Sequence, residues 1–376
     1  MQDPIFTRHS TDKALAFSPE EYEARLEGLR DILDLHGLDA IVLTSGPGGG
    51  YWGGLLPGAF GRAQGVVVTA LDAVVVTAAY AGLTALQSSP FEAVVHDDHG
   101  RDRFWRAVAH VTGPDKAIGV EADSMTMVQA DMMTHFLRPK RGMDIAPATR
   151  TQRLVKSDAE LSLIQSGVAI AQAAQDAVGA ALRAGARAVD LEHLGRETLC
   201  TRTARQFPDL APTGGHVWVQ SGPGTDGIWT RQAPRKIKAH DPVNVTCLAM
   251  IAGYAVPVSR SFVMGADQQD LSRTDRQRAV LAAIRPGVTC AELAALYGTE
   301  APGALGHSVG LTGSMLVREA GLDLRADNDT ALEVGMVLSL GALETTTRGG
   351  HYATDVVIVM ENGAEVLTGQ PPMPVP

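Results

Sequence analysis

The stretch 151–183 limits the possible folds of this chain more than any other. Ser157 and Glu160 have the Ser-x-x-Glu spacing in which a hydroxyl and a carboxylate reciprocally satisfy the free N–H groups at a helix start. The apolar positions that follow predict a long helix running to about Arg183. Short strands interleaved with helices precede it, whereas grouped strands and helices follow it. This pattern predicts two domains: an α/β N-terminal domain over 1–150 and an α+β domain over 151–376.

Within the first part, Ser18 as N-cap and Pro19 at the first helical position open a helix to about His36, with Leu26, Leu29, Ile32 and Leu33 at helical spacing. The runs Ala40–Thr44, Gly65–Thr69 and Ala73–Thr77 read as strands. Helices are expected around 78–88, 101–111 and 124–137. In the second part, helices are expected near 190–206, 270–284 and 290–297, and strands at 215–220, 242–250, 257–264, 335–343 and 353–360. The cluster Gly46-Pro-Gly-Gly-Gly50 lacks the Gly-Lys-Ser/Thr ending of a phosphate loop and reads as a plain turn.

Composition removes several function classes. With 32 Lys and Arg against 42 Asp and Glu, the formal charge of −10 makes no case for a nucleic-acid partner. No run of about 18 apolar residues escapes a charge, Gly or Pro, and the first ten residues lack a signal-like apolar region, so a cytoplasmic protein without a membrane partner is expected. Cys200, Cys247 and Cys290 are too few and too widely spaced for a disulfide framework and read as buried thiols.

No His-Glu-x-x-His, Gly-x-Ser-x-Gly or Cys-x-x-Cys motif occurs. The suggestive residues lie in the second part, where His216, His307 and His351 stand close to glycines, with Arg318 and Glu344 between them. Imidazoles supply acid/base or ligand chemistry, and a guanidinium can clamp a carboxylate through two parallel bonds.

Several ordered segments carry a resemblance. They are Phe60-Gly-Arg62, Leu154-Val-Lys-Ser-Asp-Ala-Glu160, Trp218-Val-Gln-Ser-Gly-Pro-Gly-Thr-Asp-Gly227, Asn244 to Tyr254, Gly306-His-Ser-Val-Gly310, Arg318-Glu-Ala-Gly-Leu-Asp-Leu-Arg325 and Leu332 to Ser339. Together they resemble the creatinase family of the pita-bread superfamily, which also holds methionine and Xaa-Pro aminopeptidases. The resemblance implies a smaller N-terminal α/β domain, a C-terminal pita-bread domain, and a homodimer in which the N-terminal domain completes the partner's active site.

The metallopeptidases of the superfamily bind two metal ions through two Asp, one His and two Glu. The resemblance places Thr246, Pro257, His307, Gly341 and Ala353 at those positions, so neither metal nor another cofactor is expected. The creatinase acid/base His falls on Trp229, and its two guanidinium-holding Glu fall on Ser259 and Gly341. The carboxylate-gripping end survives as Phe60, Arg62 and Arg318. His216 and Trp229 hold a His and a Trp in places where creatinase has them reversed, which makes His216 a candidate relocated acid/base beside His307.

Glu344, His351 and Tyr352 complete the expected substrate-binding set, Glu344 as a possible replacement carboxylate and His351 as a third imidazole. The expected function is metal-independent C–N hydrolysis of a small carboxylate-bearing metabolite. The alternatives are a non-catalytic binding protein on the same fold and a biosynthetic lyase or cyclase.

Overall fold

The computed structural model describes residues 5–8, 12–57, 61–210, 214–228, 235–264, 274–298, 306–313, 318–319 and 321–369. The chain forms two compact units, Met1–Arg153 and Leu154–Pro376. In the first unit the strands are β1 (Ile5–Arg8), β2 (Ala40–Leu43), β3 (Gly65–Thr69), β4 (Ala73–Ala78), β5 (Glu92–His96), β6 (Ala117–Val120) and β7 (Arg141–Asp144). The helices are α1 (Pro19–His36), α2 (Gly46–Gly53), α3 (Gly82–Ser88), α4 (Arg103–Thr112), α5 (Met127–Leu137) and α6 (Ala146–Leu154). The strands form one mixed sheet in the order β1-β5-β4-β3-β2-β6-β7.

Local chemistry accounts for the helix ends. The Ser18 hydroxyl accepts from the Glu21 N–H at 3.3 Å, and Gly37 closes α1 at φ 57°, a left-handed conformation cheapest for glycine. The glycine cluster, expected to be a turn, instead opens α2: Ser45 caps it by accepting from Gly48 N at 2.7 Å. Close packing explains the glycines. A Cβ on Gly48 would lie 2.3 Å from Oε2 of the buried Glu121, and one on Gly53 would lie 2.4 Å from Val66. The helix start is already matched to a carboxylate of its own chain, since Ser45 and Thr149 hydroxyls both donate to Glu121.

The second unit begins with α7 (Asp158–Ala181), whose Ser157/Glu160 capping box is fully formed, and α8 (Ala188–Gln206). It continues with β8 (Gly215–Ser221), β9 (Pro242–Ile251), β10 (Tyr254–Val263), α9 (Asp275–Ala283), α10 (Cys290–Tyr297), β11 (Gly306–Ser308), β12 (Gly310–Leu311), β13 (Val337–Thr346), β14 (Gly349–Met360) and β15 (Gly363–Val366). Two antiparallel sheets result, ordered β12-β10-β9-β8 and β11-β13-β14-β15.

The first sheet packs one face on α7 and α8, where Gly167 and Gly195 allow close approach: added Cβ atoms would meet Val256 at 2.7 Å and Val217 at 2.9 Å. The second sheet packs one face on α9 and α10 through Val280, Leu293, Leu338, Leu340 and Val357. Pro257 sits inside β10 without breaking it, because β12 pairs only with Tyr254 and Ala255 and leaves Pro257 no ladder bond to donate on that side.

Side chains join the two sheets where β10 meets β14. Ser259 N donates to Thr354 Oγ1 at 2.9 Å, and the buried Arg260 donates to the carbonyls of Ser259 and Thr354. Asn244 donates to the Gly350 carbonyl at 3.2 Å and accepts from Tyr352 N at 3.2 Å. Ser261 accepts from Tyr352 N at 2.7 Å.

Two further expectations need correction. Cys200 is exposed on α8, whereas Cys247 and Cys290 are buried, with burial pushing the Cys290 thiol up to about 11. Strands β1, β5, β6 and β7 of the first unit and β11, β12 and β15 of the second were not expected; β1, β6 and β7 lack the Val-rich run that marks β3 and β4. Among the described residues, no helix is long and apolar enough to cross a membrane.

His96 makes the first unit acid-sensitive. Its Nδ1 accepts from Asp98 N at 3.3 Å, and burial lowers its pKa against the opposing pull of Asp98 and Asp97. The unfolded chain therefore takes up the proton first. The stabilisation is present above about pH 6.5 and is lost as the pH falls towards the folded value. Asn at this position keeps an acceptor without titrating, so His96→Asn should flatten the decline in urea-unfolding stability between about pH 7 and 5 relative to the parent.

Candidate functional site

The face of the first sheet of the second unit that is turned away from α7 and α8 carries two neighbouring cross-strand rows. Trp218, Thr246 and Ser259 form one, and His216, Leu248 and Pro257 form the next, because directly paired residues share a face. The Thr246 and Ser259 hydroxyls lie 2.8 Å apart. On the second sheet, Gly341 pairs with Thr354 and His307 pairs with Ser339, again on one face. The bond from Ser259 N to Thr354 Oγ1 joins the two faces at a buried, hydroxyl-rich seam, the candidate cleft of the resemblance.

His307 is 1% exposed, and its Nδ1 lies 3.0 Å from the Ser308 carbonyl oxygen. An oxygen with only lone pairs requires Nδ1 to carry the proton, which leaves the Nε2 lone pair as the basic site. Burial lowers the pKa of His307, outweighing the opposing Ser308 bond and Asp323 charge, and the imidazole is neutral at pH 7. It is a proton acceptor in its resting state.

Behind His307 lies a group for which the sequence carried only an indirect signal, through two of the segments quoted above. Lys156 Nζ and Glu319 Oε2 form an ion pair at 2.7 Å with side chains 1% and 2% exposed. Ser308 Oγ donates to the Glu319 carbonyl at 2.6 Å, and this bond ties the segment carrying Arg318 to the strand carrying His307, while the ion pair ties the same segment to Lys156. Gly310 permits this, since a Cβ there would lie 2.2 Å from Glu319 Oε2.

The remaining sequence candidates are placed differently. Arg318 is half-exposed and pairs with Asp323. Arg62 belongs to the first unit, where it pairs with Asp98 at 3.2 Å and borders a cavity of about 220 Å³ lined by no histidine or acidic residue. His216 lies against Trp218, ring centroids 5.4 Å apart, so their shared strand face is observed. Phe60 and Trp229 lie outside the described residues.

Glu344 does not replace a carboxylate at Gly341. It stands three residues further along β13, on the opposite face, and pairs with His351. His351 is likewise turned away from the face of Gly341 and Thr354; burial lowers its pKa while Glu344 raises it. Tyr352, one residue on, returns to the cleft face and is 2% exposed.

The cleft does not fit a two-metal centre. Alternation also corrects one alignment: Ala353 pairs with Ala342 on the far face, and the residue that shares a face with Gly341 is Thr354. With that change, the five positions implied by the resemblance would offer Thr246, Pro257, His307, Gly341 and Thr354, a single imidazole with two neutral hydroxyls. Divalent cations need several anionic oxygens or imidazoles to offset their dehydration. Nor do His216, His307 and His351 assemble: among the described residues, no group of three or more His, Cys, Asp or Glu is arranged to hold a metal ion.

Comparison with known proteins decides the family. Residues 162–361 match the profile of Metallopeptidase family M24, and residues 25–155 match the Creatinase/Prolidase N-terminal domain. The chain belongs to the creatinase/prolidase group of family M24. It is similar to the creatinase of Bacillus sp. (strain B-0618), with 31% identity over 379 residues that cover 94% of this chain and 92% of the relative. The prolidase structure from Pyrococcus horikoshii OT3 superposes with a TM-score of 0.77 at 18% identity, covering 92% of this chain and 98% of that one, which supports the two-domain pita-bread fold. A shorter likeness, 38% identity over 109 residues and 26% of each chain, is to the agropine synthesis cyclase of Rhizobium rhizogenes.

Removing one member of a buried ion pair leaves the other charge uncompensated, at a cost of about 3–5 kcal/mol. Lys156→Met should lose stability on that scale in denaturant unfolding. The double variant Lys156→Met/Glu319→Leu should recover a large part of it.

Proposed function

We propose that this M24-family chain is a metal-independent C–N hydrolase acting on a small metabolite that carries a carboxylate. The observation that carries the reading is His307: a buried, neutral imidazole with its Nδ1 proton committed to Ser308, in a cleft whose other family positions are uncharged. In this reading Nε2 of His307 takes a proton from the water attacking the carbon of the C–N bond and returns it to the departing nitrogen. His216, beside Trp218, is the second candidate for moving protons, and its half-exposed position suits contact with the variable end of a substrate.

The carboxylate would be held by Arg318. The functional form would be a homodimer in which Arg62 of a second copy joins it, while Phe60, Trp229, Ser259 and Tyr352 complete the substrate contacts. The present partners of both arginines are no obstacle, since exposed ion pairs are worth at most about 1 kcal/mol. A well-aligned charge-assisted pair with a substrate carboxylate contributes about 1.5–3 kcal/mol.

A second reading, a lyase or cyclase that mainly orients a reactive substrate, is favoured by the local likeness to a cyclase. It would use the same cleft, and product analysis separates the two, because hydrolysis incorporates oxygen from labelled water. A pseudoenzyme that only binds would show unchanged biological output with either His216→Ala or His307→Ala.

The test is a thermal-shift screen of small carboxylates followed by turnover assays. A true ligand at about 100 times its Kd should stabilise the parent by about 2.7 kcal/mol. Arg318→Ala and Arg62→Ala should each weaken that ligand roughly tenfold or more. His307→Gln should lower kcat by about 10²–10⁴ with binding retained. Equal stabilisation of the parent and both Arg variants would sink the carboxylate clamp.

A further inference from the structure

The cavity of about 220 Å³ lies wholly within the first unit. Its polar lining includes Arg62, Gln64 and Gln129, and its apolar lining Leu55, Pro57 and Ala63. Sites for drug-sized ligands span about 300–1,000 Å³, so this one suits a metabolite of few heavy atoms.

The bonds these polar groups already make decide what each has left to offer. Gln129 Oε1 accepts from Thr126 N at 2.8 Å in the box that caps α5, so its Nε2 is the end left to donate. Gln64 is the reverse: its Nε2 donates to the Leu56 carbonyl at 2.6 Å, which leaves Oε1 to accept. Arg62 meets Asp98 through Nε at 3.2 Å, and the terminal N–H edge of its planar fork points away from that bond.

The loop that supplies Asp98 is fixed. Asp98 adopts a left-handed backbone at φ 55°, and its N–H donates to Nδ1 of the buried His96 at 3.3 Å. The adjacent Asp97 is committed to Arg103 at 3.2 Å, which leaves Asp98 as the partner of Arg62. Two donors, one of them cationic, and one acceptor therefore border the same small cavity. That set complements a carboxylate with an N–H beside it.

We propose that this cavity binds a small acylamino or ureido acid, its carboxylate on Arg62 and Gln129 and its adjacent N–H on Gln64 Oε1, so that Gln64 selects such acids over those with no N–H next to the carboxylate. This rests on the reading of Arg62 as a carboxylate clamp. It adds the group that stands beside the carboxylate.

N-acetylglycine and acetoxyacetate are a matched pair for the test, since they share a carboxylate and shape and differ in N–H against O. The exchange leaves Gln64 Oε1 facing a lone pair. Isothermal titration of the full chain should show N-acetylglycine binding roughly three- to tenfold more tightly. Gln64→Met should bring the two probes to equal affinity, and Arg62→Ala should weaken both roughly tenfold. Phenylglyoxal, which modifies guanidinium groups, locates the site in the parent: N-acetylglycine should slow modification of Arg62, read by peptide mass, and acetoxyacetate at the same concentration should slow it less. This protection carries the test if Gln64→Met does not fold.

Equal affinity of the two probes with Arg62 protected, or a preference unchanged in Gln64→Met, overturns the role of Gln64 and leaves the carboxylate clamp standing. Binding of N-acetylglycine that neither protects Arg62 nor weakens in Arg62→Ala overturns the clamp and this inference together. Failure of N-acetylglycine to bind the parent overturns this inference alone, because carboxylates without an adjacent N–H test the clamp separately.

Discussion

The arrangement of the cleft depends on how two separate sheets are held in register where β10 meets β14. No continuous backbone ladder joins them, so the alignment falls to side chains bonding to the neighbouring backbone: Asn244 and Ser261 to Tyr352, Ser259 N–H to Thr354, and Arg260 to the carbonyls of Ser259 and Thr354. Buried polar groups are costly unless paired, and geometry is strict when each has a specific partner. The seam therefore fixes more than the contact between sheets. It sets which residues of β9, β10, β13 and β14 share the cleft.

Within that frame the faces that meet at the seam carry Thr246, Pro257, Ser259, Gly341 and Thr354, none of them charged, and a tyrosine ring lies over Gly341. His307 stands on the seam face of its strand, with its tautomer set by Ser308 and its strand tied through Ser308 to Glu319, the partner of Lys156.

The sequence made the elements with strong local signals legible: α1 from Ser18 and Pro19, and α7 from its capping box. The candidate site was less legible. Alternation along a strand requires the strand's register, and without the pairing of Gly341 with Thr354 the choice between Ala353 and Thr354 had no physical basis. The glycine cluster 46–50 misled because its reason is long-range: Glu121 and Val66, far along the chain, occupy the space that side chains would need.

By itself the sequence determined that the chain divides near its capping box and that it carries a net negative charge. These follow from local bonding and from residue identity, which need no partner. Only the tertiary structure decided that Glu344 and His351 face away from Gly341, that Tyr352 lies over it, and that Lys156 and Glu319 meet in the interior. Each depends on residues distant in sequence meeting at a set register, and register is a property of the packed sheets.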